Sequence, residues 1–323
     1  MATEAVHSYR GSTVIVTGGA GFIGSVLVRR LHEMGVETFV VDPKWGESEE
    51  ANGDGMAISM GDVSRYERWL RRADVIFNLA GATGHQASME DPVGDLESNQ
   101  RQHLLFLDGL RRLGASARCV FTSTRQVYGR ARRLPSQETD ALNPLDINAI
   151  HKIATERYHG LLARRYGMRV SIVRLSNVYG EGVDRHAGVS LMGEWFRRLR
   201  EGLPLVVFGD GLSLRDFLFL GDAVEGLIRL GMVAGENADS IFNLGGPEVW
   251  SVREAASLLC RVAGRGEVLD SGMPDSWADI DPGSSHLDCS RMEGALGWRA
   301  RTGLEEGVRL TLSGMGLTGR GEP

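Results

Sequence analysis

Thr13-Val-Ile-Val-Thr-Gly-Gly-Ala-Gly-Phe-Ile-Gly24 is the stretch whose reading decides the fold. Its first five residues are apolar or β-branched, as in a strand buried on both faces of a sheet. Gly19-x-Gly21-x-x-Gly24 follows, with Gly18 as a further turn glycine. A helix starts at once, its apolar side carried by Val26, Leu27 and Leu31. Glycines in this pattern let backbone approach a pyrophosphate and let helix pack tightly on strand. The helix N-terminus, at Gly21, Phe22, Ile23 and Gly24, then presents N–H groups to the phosphates. A second strand, Val36 to Val41, ends at Asp42. An acid about 20 residues on, at a strand end, suits the two hydroxyls of an adenosine ribose and repels a 2′-phosphate. The stretch therefore predicts a Rossmann-type α/β unit that binds NAD rather than NADP.

Composition sets outer bounds. A chain of 323 residues can bury a large core, as one elaborated α/β domain or as two. Its formal net charge of −6 gives no basic footprint for nucleic acid. No apolar run reaches the length of a membrane span, and Met1 to Arg10 has no signal-peptide core, so the expected compartment is the cytoplasm. Three scattered cysteines, Cys119, Cys260 and Cys289, have neither a disulfide framework nor metal-ligand spacing, and no metal is expected. Of the 36 basic residues only Lys44 and Lys152 are lysine, so a lysine at a motif position carries information.

Along the chain, strands alternate with helical segments, which predicts a doubly wound parallel sheet. Residues 1–10 read as a tail. Strands are expected at Met56–Met60, Ala73–Ala80, Ala117–Ser123, Val170–Leu175, Pro204–Phe208 and Ser240–Leu244. Helices are expected at Tyr66–Arg72, Asn99–Leu113, Asn148–Tyr166, Ser190–Glu201, Asp222–Met232, Val252–Ala263 and Leu304–Leu312. Gly81–Pro92 and Gly129–Pro144 read as loops, and Ser313–Pro323 as a frayed end. The expected division is an NAD-binding domain at 11–178 plus about 219–247, and a smaller mixed α/β substrate lobe at about 179–218 and 248–315.

Six motifs in order complete the pattern. They are Thr17-Gly-Gly-Ala-Gly-Phe-Ile-Gly24, Gly61-Asp62-Val63, Asn78-Leu-Ala-Gly81, Thr122-Ser-Thr-Arg-Gln-Val-Tyr-Gly129, Arg174-Leu-Ser-Asn-Val-Tyr-Gly180 and Val207-Phe-Gly-Asp-Gly-Leu-Ser-Leu-Arg-Asp216. Together they resemble the extended short-chain dehydrogenase/reductase family, in its nucleotide-sugar epimerase and dehydratase branch, over about residues 12 to 312. The resemblance implies that Asp62 and Val63 meet the adenine and that Leu79, Ala80 and Gly81 line the cofactor. It implies that Thr124 hydrogen-bonds the reacting hydroxyl, that Asn177 contacts a nucleotide diphosphate, and that Arg215 clamps a phosphate. Arg215 has a plainer reading, a surface ion pair with Asp216 or Asp210.

Three departures stand out. The family uses Tyr-x-x-x-Lys on its long helix, where i, i+4 spacing puts both side chains on one face. The lysine is Lys152, but Asn148 stands at the tyrosine position, and no tyrosine lies between Tyr128 and Tyr158. An amide does not titrate usefully, so Asn148 cannot be a general base. It either orients a substrate oxygen or caps the helix start. Next, Gln126 takes a position where dehydratases and decarboxylases of the family often carry Glu. Its neighbour Arg125 either binds an acidic group of the substrate or sits in an ion pair at the cavity rim. Finally, Asp281-Pro-Gly-Ser284 replaces an Arg-Pro-Gly-Asp string whose arginine grips the diphosphate, leaving Arg291 or Arg253 as possible substitutes.

Other groups are candidates for proton chemistry. His85, in the loop after Gly81, is either a proton relay or a solvent-facing histidine. His151 either shares the face of Asn148 or is packed on the helix surface, and Asp146 reads as a cap or dipole partner. The resemblance also implies a homodimer through the helices near Asn99–Leu113 and Asn148–Tyr166. Leu104, Leu105, Leu161 and Leu162 supply either that contact or internal core. The expected function is an NAD-dependent epimerase/dehydratase-type enzyme with altered acid/base apparatus, acting on a nucleotide sugar or related polyol. The alternative is a non-redox isomerase or lyase, or a non-catalytic NAD- or nucleotide-binding protein.

Overall fold

The structure is a computed structural model that describes residues 9–47, 53–186, 190–233 and 240–317. Its main sheet contains β1 (Thr13–Thr17), β2 (Glu37–Val41), β3 (Asp54–Met56), β4 (Val75–Asn78), β5 (Arg118–Thr124), β6 (Arg169–Leu175) and β10 (Ser240–Leu244), in the spatial order β10-β6-β5-β4-β1-β2-β3. Every pairing in it is parallel. Parallel strands need crossovers and are covered on both faces, which is why β1 and β4 are buried along their whole length. Strand order reverses between β1 and β4. Their carboxyl ends, at Thr17 and Asn78, therefore open the crevice where such sheets take ligands.

Two smaller sheets form the rest. β7 (Asn177–Tyr179), β9 (Leu214–Phe219) and β11 (Val249–Ser251) make one; β8 (Leu205–Phe208) and β12 (Val268–Ser271) make the other. A core around Trp195, Phe196, Phe217, Leu258 and Val308 fills this part of the molecule. The main long helices are α1 (Phe22–Glu33), α2 (Gln102–Leu113), α3 (Ile147–Tyr166) and α4 (Leu220–Val233).

Several expected boundaries move. The strand expected at Met56–Met60 is Asp54–Met56, because only those residues reach the edge of β2; Ile58 already turns back to the Met56 carbonyl. The helix expected at Tyr66–Arg72 is a single α-turn, Glu67–Leu70, preceded by a 3₁₀ turn at Val63–Arg65. The loop Gly81–Pro92 contains a short helix, His85–Glu90, and the helix expected from Asn99 begins at Pro92 and passes through a π-turn at Glu97–Arg101. The tail reading fails at Tyr9, which is 1% exposed and donates its hydroxyl to the Ile228 carbonyl; residues 1–8 lie outside the described residues. The last helix runs on through Gly314, so the expected fraying at Ser313 starts too early; 318–323 lie outside the described residues.

The helix that carries Lys152 is unusual in what it buries. In α3, Asn148, His151, Lys152, Thr155, Glu156 and His159 recur at helical spacing and are all buried. The usual amphipathic pattern would put apolar side chains there. A buried polar stripe is tolerated only when its members are hydrogen-bonded. Its anchor is the Glu156–Arg174 pair, Nη2 to Oε2 at 2.7 Å and Nε to Oε1 at 3.0 Å. Ser123 Oγ adds a bond to Oε1, and Arg174 Nη1 donates to the Tyr128 hydroxyl. This cluster ties α3 to β5 and β6. No helix among the described residues is long and apolar enough to cross a membrane.

Candidate active site

The glycine turn is built for contact without side chains. Gly18 has φ +75°, and a Cβ there would lie 2.7 Å from the Ala80 amide nitrogen. A Cβ on Gly24 would lie 2.1 Å from the Gly18 carbonyl oxygen. No side chain caps the start of α1 at Gly21, so the helix dipole and first-turn backbone of Phe22 and Ile23 stand at the crevice. Asp42 is buried. Its Oδ2 accepts from the Ala20 amide at 3.1 Å and its Oδ1 from the Lys44 amide at 2.8 Å. Each carboxylate oxygen keeps a further lone pair, which is what a ribose diol needs. Asp62 is exposed and Val63 half-exposed at the start of the 3₁₀ turn, while Leu79 and Ala80 are half-buried beyond β4.

Lys152 lies under this crevice. Its Nζ donates to the Thr122 carbonyl at 3.2 Å and sits 5.0 Å from the Phe121 ring centre. Burial pulls its pKa down to about 8, with Asp95 and Glu156 pulling the other way. Two of its three donors remain for a ligand. A Cβ on Gly81 would lie 3.3 Å from Nζ and 2.4 Å from Asn99 Oδ1, a buried oxygen with no protein partner. A glycine-lined cradle, an accepting acid, an ammonium with spare donors and an orphaned amide oxygen together fit a dinucleotide. Among the described residues no cluster of three His, Cys, Asp or Glu is placed to hold a metal.

Thr124 ends β5, and its Oγ1 accepts from the Gln126 amide at 3.2 Å, which leaves its hydroxyl proton to donate. Asn148 is not the helix cap; Asp146 is, accepting from the Ala149 amide at 2.7 Å. Both amide hydrogens of Asn148 are used inside the protein: Nδ2 donates to the Ala82 carbonyl at 3.0 Å and to Asp95 Oδ2 at 2.9 Å. The other oxygen of Asp95 meets His151 Nδ1 at 2.7 Å. His151 thus does share the face of Asn148, through an acid that sequence reasoning missed. Asp95 sits in Pro92-Val-Gly-Asp-Leu96, where nothing local marks it; only packing against α3 buries it.

His85 and Asp146 are joined, although they stand far apart in sequence. His85 Nδ1 lies 2.5 Å from Asp146 Oδ2, and the histidine remains about one-third exposed. Burial raises the Asp146 carboxyl, but His85 and the amides of Ala149 and Asn148 outweigh this and hold it below the ordinary range. An ionised acid on Nδ1 keeps the proton there and leaves Nε2 as a base.

No tyrosine takes the place left at Asn148. The chain has six. The hydroxyls of Tyr9, Tyr66 and Tyr179 bond to the carbonyls of Ile228, Met60 and Leu304. Tyr128 is locked between Asn243 Oδ1 and Arg174, and Tyr158 accepts from Gln100. Tyr166 ends α3 in solvent beside Arg111 and Arg165.

Two arginines, Arg125 after β5 and Arg215 on β9, stand near enough for their charges to interact. Arg125 donates from Nε and Nη2 to Asn177 Oδ1, at 3.3 and 2.9 Å, and from Nη1 to Ser285 Oγ at 2.9 Å. Desolvation, with the charge of Arg215, pulls its pKa down to about 10. Arg215 is 8% exposed and lies 3.4 Å from Asp281 Oδ1, so the plainer alternative for it, a surface pair with Asp216 or Asp210, does not form. Asp216 is buried under Ser176 and the Leu287 amide, and Asp210 accepts from the Leu212 amide. The proposed substitutes for the missing arginine are elsewhere: Arg253 pairs with Asp270, and Arg291 donates to the Ile241 carbonyl at the surface. Leu104, Leu105 and Leu161 are exposed, whereas Leu162 packs on the core beneath α2 and α3.

The chain has relatives with the same architecture. It is 31% identical over 314 residues to UDP-glucuronic acid decarboxylase 4 of Arabidopsis thaliana, spanning 92% of this chain and 67% of that one. It is 29% identical over 307 residues to the UDP-glucose 4-epimerase of Mycolicibacterium smegmatis, spanning 92% and 96%. A crystal structure of a Thermotoga maritima UDP-glucose 4-epimerase with UDP-glucose superposes with a TM-score of 0.85 at 29% identity, covering 94% and 98%. Residues 14–245 match the family described as NAD dependent epimerase/dehydratase. The chain belongs to that family and is an NAD-dependent epimerase/dehydratase-like enzyme.

Proposed function

We propose that this protein is a nucleotide-sugar epimerase/dehydratase-type enzyme whose proton transfer has passed from the family's tyrosine to the His85–Asp146 pair. The observation that carries this is the 2.5 Å contact between His85 Nδ1 and Asp146 Oδ2, two residues before Asn148 on the helix that holds Lys152. Relatives that act on UDP-sugars supply the substrate class.

When bound, NAD supplies a reversible two-electron acceptor. Gly18, Gly21, Phe22, Ile23 and Gly24 receive its phosphates and Asp42 its adenosine ribose. Asp62, Val63, Leu79, Ala80 and Gly81 line it, and Lys152 holds the second ribose. Thr124 donates to the reacting hydroxyl, and His85 Nε2 takes that proton while Asp146 balances the imidazolium charge. Asn148, its amide hydrogens already spent, accepts through Oδ1 and so orients rather than titrates. Gln126 contributes no second acid. Asn177 and Arg215 receive the diphosphate. A homodimer through Leu104, Leu105 and Leu161 completes the reading.

The test uses the holoenzyme with UDP-glucose, UDP-glucuronate and UDP-N-acetylglucosamine, with products read by mass spectrometry and reduced cofactor by absorbance. Turnover of one of these is expected, and His85→Gln is expected to lower it about 100- to 10,000-fold while NAD stays bound. A His85→Gln protein with wild-type turnover and an unchanged pH profile would remove His85 from the mechanism.

A further inference from the structure

We propose that Arg125 receives a carboxylate carried by the sugar of the substrate, so that the enzyme selects acidic nucleotide sugars over neutral ones; this rests on the nucleotide-sugar reading above. Charge around Arg125 is unbalanced. Arg125 makes three hydrogen bonds, and all go to neutral oxygens, those of Asn177 and Ser285. Among the described residues no carboxylate lies within 4 Å of it, although three stand in its neighbourhood. Each of the three is committed elsewhere. Asp281 pairs with Arg215. Asp146 holds His85 and caps α3. Asp216 takes the Ser176 hydroxyl and the Leu287 amide, and burial pushes its carboxyl towards the neutral form.

A desolvated cation held by neutral acceptors, beside a second cation, is costly unless a ligand brings the counter-charge. The guanidinium still has two N–H groups for an oxyanion. The diphosphate already has Arg215 on β9. Arg125 instead follows Thr124 directly at the end of β5, beside the residue that meets the reacting hydroxyl. An anion there belongs to the sugar rather than to the nucleotide. Gln126 supports the same conclusion independently: the position next along carries no acid to repel a substrate carboxylate.

The test is calorimetric titration of the NAD-loaded protein with UDP, UDP-glucose and UDP-glucuronate, for wild type, Arg125→Gln and Arg125→Lys. Wild type is expected to bind UDP-glucuronate about ten- to a hundredfold more tightly than UDP-glucose, the range of a charge-assisted hydrogen bond. Arg125→Gln should abolish that preference, weakening UDP-glucuronate far more than UDP or UDP-glucose, which lose only the support that Arg125 gives Asn177. Arg125→Lys should keep only part of it, since charge survives but the planar fork does not. Retained NAD certifies that each variant is folded, and Arg125→Lys carries the test if Arg125→Gln is not. Equal wild-type affinity for the two sugars overturns the proposal and leaves the nucleotide-sugar reading intact. Equal loss of UDP and UDP-glucuronate binding in Arg125→Gln also overturns it, because Arg125 would then serve the diphosphate. Failure of all three ligands to bind wild type overturns both.

Discussion

Changing Asp146 to Asn separates the catalytic from the structural use of one side chain. Asp146 divides its oxygens: Oδ1 caps α3 through the Ala149 amide at 2.7 Å, and Oδ2 meets His85 Nδ1 at 2.5 Å. Asparagine is as good a helix cap as aspartate, so its oxygen keeps the first contact at a cost of a few tenths of a kcal/mol at most. Its NH₂ then faces His85 Nδ1 as a donor. That reverses the tautomer, placing the imidazole proton on Nε2 and removing the base. The expected result is a loss of turnover of about 100- to 10,000-fold, the usual worth of a positioned base. Asp146→Ala loses the cap as well, which costs about 1 kcal/mol more and lowers the melting temperature by about 2 °C in a chain of this size. Asp146 is held below its ordinary value, so its stabilisation is present above about pH 4, the unfolded value, and fades as pH falls through the folded one. At neutral pH both proteins are therefore compared with the wild-type acid ionised. The assay is single-turnover reduction of bound cofactor, beside thermal melts and bound-NAD content. Asp146→Asn with at least half of wild-type turnover would refute the dyad, as would an activity loss that merely tracks the melting temperature across both variants.

Asn148→Tyr is expected not to restore ordinary family chemistry. It strands Asp95 Oδ2, while the Ala82 carbonyl keeps the Asn99 amide, and so costs about 1–3 kcal/mol in a chemical denaturation curve. Glu156→Ala leaves Arg174 uncompensated in the core and should lower stability by about 3–5 kcal/mol, read the same way. Lys152→Met removes an ammonium whose pKa burial has lowered to about 8. Below that pH both folded and unfolded wild type hold the proton. Between about 8 and about 10.4 only the unfolded chain does, so wild-type apo stability gains with rising pH in that window. The variant should lose that gain and should also retain less NAD. Leu161→Glu should shift the protein towards monomer in light scattering without lowering the melting temperature of the fold, because Leu161 is 56% exposed.

The parts legible in the sequence are those with a local cause. The strand, glycine turn and helix at Thr13–Glu33 announce themselves because backbone sterics demand glycine at Gly18 and Gly24. The long strands of the main sheet are visible as apolar runs. The three-residue strands β7 and β11 are not, because they carry too few residues for a period and exist only through pairing with β9. At the site, Thr124, Lys152, Asn148 and His85 are found by motif and loop position. Their partners are not. Asp95 meets Asn148 across 53 residues, Asp146 meets His85 across 61, and Ser285 meets Arg125 across 160. Arg215 shows the same limit from the other side: its nearest acids in sequence suggest a surface pair, while the fold buries it and brings Asp281 to it.

The joint at Asn148 has a consequence for redesign. A side chain that serves Ala82 and Asp95 at once, while Asp95 also steadies His151, can no longer be exchanged alone. A phenol there would leave Asp95 Oδ2 without a donor, with only His151 still on the other oxygen. Installing the family's tyrosine therefore takes a second change at Asp95, or a less stable protein. For an engineer the two positions form one unit, to be exchanged together.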